Sequence, residues 1–265
     1  MNPLLIAHLS DLHFGCLRDA FITEALLDHL NQQPLAAVII SGDLTQRARR
    51  RQFLQAQAFI KAIKAPVLVI PGNHDIPAWY HPVERMLYPY RRYQRYISPD
   101  LNPSLVLEQV SILGLNTAHG YTIKSGKFTA AHAQRMKLFF AAEEIPKLRI
   151  LTVHHPPIAL PEIGMPASMP SQDGQLLLNT ARACGVQLIL CGHWHHPLIK
   201  PLPTHDLYLA EAGTALSSRG RGAYRTLNSF FQFELSASHL TVVEFLYQPE
   251  QRKFLPTRPV QLDWL

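Results

Sequence analysis

Ala37-Val38-Ile39-Ile40-Ser41-Gly42-Asp43 and Val67-Leu68-Val69-Ile70-Pro71-Gly72-Asn73-His74-Asp75 share one design. An apolar, largely β-branched run halts at a glycine, and polar side chains follow. The pattern recurs along the chain. Leu4-Leu5-Ile6-Ala7 runs into His8-Leu9-Ser10-Asp11-Leu12-His13, and Ile150-Leu151-Thr152-Val153 into His154-His155-Pro156-Pro157. Leu188-Ile189-Leu190-Cys191 leads into Gly192-His193-Trp194-His195-His196. Continuous apolar runs of this length predict strands covered on both faces.

Between the early runs, Phe21 to Leu30 and Phe53 to Ile63 carry apolar residues at helical spacing. Strand, helix, strand implies right-handed crossovers and mostly parallel pairing. The carboxyl ends of such strands share one edge, where ligands bind. The polar motifs are therefore expected to meet in space. Glycines Gly42, Gly72 and Gly192 permit the tight turns or close backbone approaches this requires. Farther on, Tyr208-Leu209-Ala210, Ser229 to Phe233 and Leu240 to Phe245 read as antiparallel strands of a second sheet packed on the first.

The chain has 265 residues, 47% hydrophobic and 17% charged, as expected of one globular domain over 1–265. No run is long and apolar enough to span a membrane. The N-terminus lacks the features of a signal peptide, so a cytoplasmic location is the expectation. Cys16, Cys184 and Cys191 form no Cys-x-x-Cys pair, and Cys191 reads as a buried strand residue rather than a zinc ligand. The net charge of +6 favours an anionic substrate or partner. Of 14 histidines, seven fall within four short stretches: Asp11 to His13, Gly72 to Asp75, His154 to Pro157 and Gly192 to His196.

The converging set is Asp11, His13, Asp43, Asn73, His74, His154, His193 and His195. Carboxylate, imidazole and amide oxygens suit borderline divalent ions: manganese, iron or zinc. The ligand candidates exceed the needs of one ion and fit two that share a carboxylate, roughly 3.5–4 Å apart, a clamp for in-line phosphoryl displacement. Formal counting of two divalent ions, two aspartates and a hydroxide leaves about +1, which attracts phosphate esters.

Asp11-Leu12-His13, Gly42-Asp43, Gly72-Asn73-His74-Asp75, His154-His155-Pro156 and Gly192-His193-Trp194-His195 resemble the signature of the calcineurin-like metallophosphoesterases. The resemblance spans residues 4 to about 196. It implies an α/β fold, a four-layer α-β-β-α sandwich of two mixed sheets, and two divalent metal ions as cofactors. Asp11, His13 and His195 would hold one metal, Asp43 would bridge, and Asn73, His154 and His193 would complete the second. His74 would face the phosphate and stabilise or protonate the leaving oxygen. Ser10 to His13, Gly42 to Thr45 and Ile70 to Pro77 are similar to the bacterial cyclic-nucleotide phosphodiesterase branch. Leu44-Thr45-Gln46-Arg47 departs from the protein Ser/Thr phosphatase pattern. The implied activity is hydrolysis of phosphodiesters, small or cyclic nucleotides, by in-line attack of a metal-bridging hydroxide, without a membrane partner. A nuclease, or a metal-bound module without turnover, is the alternative.

Residues neighbouring the motifs carry weaker expectations. His155 and His196 should point away from the ligands, since alternate residues of an extended chain face opposite sides. His8 reads as a packing or supporting residue, Asp75 as a partner that orients His74, and Arg47 as a weak candidate for substrate phosphate. Residues 77–103 read as a cap or insertion. Its stretch Tyr80 to Tyr96, with Arg85, Arg91, Arg92 and Arg95, is either a cap whose tyrosines pack inward while its arginines stay solvated, or a surface for nucleic acid. The cap is favoured.

Overall fold

The computed structural model describes residues 3–142, 148–202, 207–236 and 239–262. The first half runs β1 (Leu4–Leu9), α1 (Ile22–Gln32), β2 (Leu35–Ile40), α2 (Arg50–Ala62), β3 (Val67–Val69), α3 (Pro82–Leu87) and α4 (Arg91–Tyr96). Then follow β4 (Ser104–Val106), β5 (Val110–Leu115), α5 (Ala130–Ala141), β6 (Leu148–Val153), α6 (Gly174–Ala183), β7 (Leu188–His195), β8 (Leu198–Pro201) and β9 (Tyr208–Gly213). The chain closes with β10 (Ser229–Leu235), β11 (Leu240–Gln248), β12 (Lys253–Pro256) and β13 (Val260–Leu262).

The apolar runs are unbroken because both faces of each strand are covered. In β2, Ala37 and Ile39 enter a core between two sheets, while Val38 and Ile40 enter one beneath α1 and α2. In β7, Leu188 and Leu190 face the inter-sheet core, while Ile189 and Cys191 pack toward α5 and α6. Helices on the outside of each of two stacked sheets make the four-layer α-β-β-α sandwich. Burial of Ile22, Ala25, Leu26 and Leu30 along one stripe of α1 shows how the outer layers attach. Among the described residues, no helix is long and apolar enough to cross a membrane.

One sheet has the order β12-β11-β10-β1-β2-β3, with β13 on β11; the other has the order β4-β5-β6-β7-β9-β8. This corrects the expected origin of the second sheet. The middle of the chain builds it, and Tyr208–Gly213 joins it parallel to β7. β10 instead adds antiparallel to β1 and completes the first sheet. The reason lies in the inward faces: Phe231 and Phe233 of β10 join Ile6 in the inter-sheet core, a role that the period-two pattern reveals but cannot assign to a sheet.

Residues 77–103 hold two short helices, α3 and α4. Tyr93 is buried and its hydroxyl donates to the Val69 carbonyl at 2.9 Å. The Tyr90 hydroxyl donates to the Ala118 carbonyl, and Tyr96 stacks on Phe53. Arg85 was expected in solvent and is buried instead. Its guanidinium donates to the carbonyls of Pro77, Gly120 and Thr122, pinning the segment to the loop after β5.

Candidate metal centre

The parallel strands β1, β2 and β3 end beside β6 and β7, and the motifs close the gap between the sheets. Asp11 N–H donates to the Gly42 carbonyl and His13 N–H to that of Asp43, so the β1 and β2 extensions stay paired past their strands. Glycine is required where they meet the second sheet. A Cβ on Gly192 would sit 1.9 Å from Ser10 Oγ, and one on Gly42 would sit 2.8 Å from His154 Nδ1. Gly42 also has a φ of +101°, which a side chain rarely adopts.

Backbone strain concentrates here. Asp11, His13, Asp43, His193 and His195 all lie in the left-handed region, with φ between 45° and 82°. Such residues cost of order 1–3 kcal/mol and persist only where their surroundings over-determine them. Asp75 supplies part of that bracing. Its carboxylate accepts N–H bonds from Leu44, Thr45 and Gly72 at 2.8–3.0 Å, plus the Thr45 hydroxyl at 3.0 Å. It thereby ties the Asp43 loop to the Asn73 loop and makes no bond to the His74 ring. Burial and the charge of Asp43 push its pKa up to about 7, against the pull of those N–H donors.

Two ligand clusters result. In the first, atoms of Asp11, His13, Asp43 and His195 all lie within 4.8 Å of one another and are buried. His13 Nδ1 lies against the Thr45 carbonyl and His195 Nδ1 against that of Arg219, at 3.3 and 2.7 Å. A carbonyl only accepts, so both Nδ1 atoms carry a proton, and in the neutral rings both Nε2 atoms present lone pairs. Those lone pairs stand 3.1 Å apart. Two acceptors cannot bond each other; a cation between them reconciles the contact. Asp11 repeats the division: Oδ2 accepts Ser10 Oγ–H and His193 N–H, while buried Oδ1 faces His195 Nε2 at 2.9 Å.

The second cluster gathers Asn73, His154 and His193. Asn73 Oδ1 lies 3.1 Å from both His154 Nε2 and His193 Nδ1. His154 Nδ1–H donates to the Ser41 carbonyl at 2.8 Å, so Nε2 is the atom that would turn to a metal once it gives up its proton. Asp43 stands between the clusters, with Oδ2 3.5 Å from His13 Nε2 and Oδ1 3.4 Å from His154 Nε2. The donor set of carboxylate, amide oxygen and orphaned imidazole lone pairs fits divalent cations.

Charges arrange themselves accordingly. Burial pushes Asp11 and Asp43 up, yet the neighbouring imidazoles hold both well below the usual carboxylate range. Burial drives His13 and His193 down to about 3. Burial pulls His154 down as well, but Asp43, with Asp11 and the Ser41 carbonyl adding to it, carries it the other way, to about 10. A proton on His154 thus balances the metal-free pocket.

His155 departs from expectation. Its ring packs 4.5 Å from that of His193, and its nitrogen lies in one cluster with His154 and His193. The alternation argument fails because the chain leaves the extended conformation after Val153. Its Nδ1 bonds Thr117 Oγ1 at 2.9 Å. His196 does turn away, against Tyr224. His8 bonds Ser41 Oγ at 2.9 Å, behind the ligands. Cys191 is buried and bonds Glu211.

His74 sits at the edge of the first cluster, its ring 4.9 Å from that of His13. Its Nδ1–H donates to the Gln46 carbonyl at 2.9 Å, and its backbone N–H donates to Asp43 Oδ1 at 2.8 Å. Its pKa is lowered by burial, with Asp43 opposing and Arg219 reinforcing. Arg219, which sequence reasoning missed, donates from its NH1 to His74 Nε2 at 3.0 Å. Its only sequence signal is the basic, glycine-broken stretch Arg219-Gly220-Arg221 after a strand end. Arg47, nominated instead, is exposed.

Comparison with known proteins places this geometry. Residues 4–197 match the family model of the calcineurin-like phosphoesterases. The chain is 28% identical over 208 residues to a glycerophosphodiester phosphodiesterase, GpdQ, of Enterobacter lignolyticus, covering 73% of this chain and 71% of that protein. It is 25% identical over 206 residues to a probable cyclic nucleotide phosphodiesterase of a Synechococcus species, covering 74% and 75%. Among solved structures, a yellow lupin purple acid phosphatase superposes with a TM-score of 0.69 at 12% identity, over 98% of this chain and 54% of that one. That likeness concerns the fold, and this chain spans little more than half of the lupin protein. The chain belongs to the calcineurin-like phosphoesterase family and is a metal-dependent phosphoric ester hydrolase.

Proposed function

We propose that the protein hydrolyses phosphodiesters, small or cyclic nucleotides among them, with two divalent ions: manganese, iron or zinc. The observation that carries this reading is Asp43, a single carboxylate whose two oxygens face two separate ligand clusters. Asp11, His13 and His195 would hold one ion with Asp43, and Asn73, His154 and His193 the other. When bound, the pair supplies positive charge that activates water and offsets charge building on the phosphate.

The chain's own groups supply the rest. The Arg219 guanidinium offers N–H donors beside the first cluster, placed to hold a non-bridging phosphate oxygen. An oxygen taking those donors releases His74 Nε2. With Nδ1–H fixed on Gln46, Nε2 is the atom through which His74 exchanges a proton with the leaving oxygen. Its lowered pKa makes the charged form a ready donor. We read residues 1–265 as one domain, with 77–103 capping the site. The diester preference draws support from the names of the relatives, a glycerophosphodiester and a cyclic nucleotide phosphodiesterase.

The test compares bis(p-nitrophenyl) phosphate with p-nitrophenyl phosphate after metal removal and manganese restoration. Metal-dependent diester turnover that Asn73→Ala abolishes is expected. Turnover of the monoester alone would discard the diesterase reading and keep the site.

A further inference from the structure

The cap carries a surface that hydrolysis does not use. Trp79, Tyr80, Val83, Leu87 and Tyr88 are between 50% and 69% exposed. Tyr121, 76% exposed, stands in the loop that Arg85 ties to α3. Large apolar side chains left in water over one short stretch mark an interaction face. Beside it opens a cavity of about 380 Å³ whose walls carry Arg49, Arg50, Arg91, Arg92 and Arg95. Glu84, the carboxylate of that wall, pairs with Arg92 at 3.1 Å. Among the described residues no carboxylate pairs with the other four arginines. Glu84 lies between Val83 and Leu87 on α3, so the basic cavity and the apolar edge adjoin along one helix.

We propose that this face docks on an anionic phospholipid bilayer. Charge complementarity selects the occupant. A dissolved polyanion would satisfy the arginines and leave the apolar edge in water. A second copy meeting the same face across a two-fold axis would set unneutralised arginines against their equals. The tyrosines interleaved with the cavity's arginines offer no nucleobase platform, because Tyr93 and Tyr90 are spent on packing and Tyr96 is stacked on Phe53. An anionic bilayer meets both needs. Its phosphates match guanidinium forks, Trp and Tyr settle at headgroup depth, and Val83 and Leu87 enter the acyl boundary. Arg92 also donates to the Ala48 carbonyl, in the loop whose Gln46 carbonyl holds His74, so docking would set the catalytic mouth near the surface.

The experiment is co-sedimentation of the full chain with phosphatidylcholine vesicles, with and without phosphatidylglycerol, at low and high salt. An oligonucleotide competitor and a light-scattering mass measurement run in parallel. Binding should require phosphatidylglycerol and weaken with salt. Arg91→Gln with Arg95→Gln should weaken it roughly thirtyfold at low salt. Val83→Ser with Leu87→Ser should weaken it without any change of charge. Both pairs should keep their metal content and diester turnover, so the outcome does not depend on the proposed reaction. Absence of binding to phosphatidylglycerol vesicles overturns the proposal. So does oligonucleotide binding that ignores the serine substitutions, or a dimer dissolved by Leu87→Ser in a protein that does not bind vesicles.

Discussion

At the strand ends, six of the seven proposed ligands are buried, and each imidazole whose Nδ1 meets a carbonyl presents its Nε2 inward. Across residues 77–103 the ordering is opposite: two six-residue helices with no side-chain caps turn some aromatics in and others out. The cradle is held by long-range bonds between loops, such as Asp75 to Leu44 and Thr45. The cap is pinned by a few side chains: Arg85 and Tyr90 to the loop after β5, Tyr93 to Val69 and Arg92 to Ala48. A region over-determined by its neighbours can hold strained backbone and focus charge; a region tethered at few points can differ in sequence and meet a partner.

Breaking the cradle should therefore have the largest consequence. Asp43→Ala removes the carboxylate both clusters share, and turnover of bis(p-nitrophenyl) phosphate should fall by far more than the roughly hundredfold typical of an outer-shell change. Activity near that of the parent protein would refute the bridge. Arg219→Ala should lower kcat by about a hundredfold, on the scale of losing one oxyanion donor, with metal content intact. Partial rescue by Arg219→Lys would mark the charge, rather than the fork, as what matters.

Acidity sharpens the contrast. His154 is raised from 6.5 to about 10 in the metal-free protein, so its proton stabilises that fold fully below pH 6.5 and is lost as pH rises through 10. A metal must displace this proton, so manganese affinity should climb about tenfold per pH unit between those limits. Calorimetry in buffers of different protonation enthalpy would report the released proton; none released would contradict the assignment of His154 as a ligand.

Two stability measurements complete the series. Asp75→Ala strands several buried N–H groups and should cost roughly 3 kcal/mol in urea unfolding without metal. Leu87→Ser on the cap should change stability by only about 0.5 kcal/mol. A cost for Leu87→Ser equal to that of Asp75→Ala would mean the apolar edge is core, not surface.

The cradle was legible because its chemistry is written beside the elements that place it. Asp43 follows β2 and Asn73 follows β3, so a parallel sheet brings them together. The layers were legible from runs such as Ala37 to Ile40, which have two apolar faces. Three things were not. The partner sheet of β10 depends on which core receives Phe231 and Phe233. The inward turn of His155 depends on a bend after Val153. Arg219 lies in a loop after β9, far in sequence from the motif it serves.

The central claim, one carboxylate shared by two metal clusters, is tested most directly by counting bound manganese per chain in the parent protein and in Asp43→Ala. The account predicts two ions in the parent and fewer than two in the variant, with the fold retained. A single ion in the parent, or two in both proteins, would contradict it.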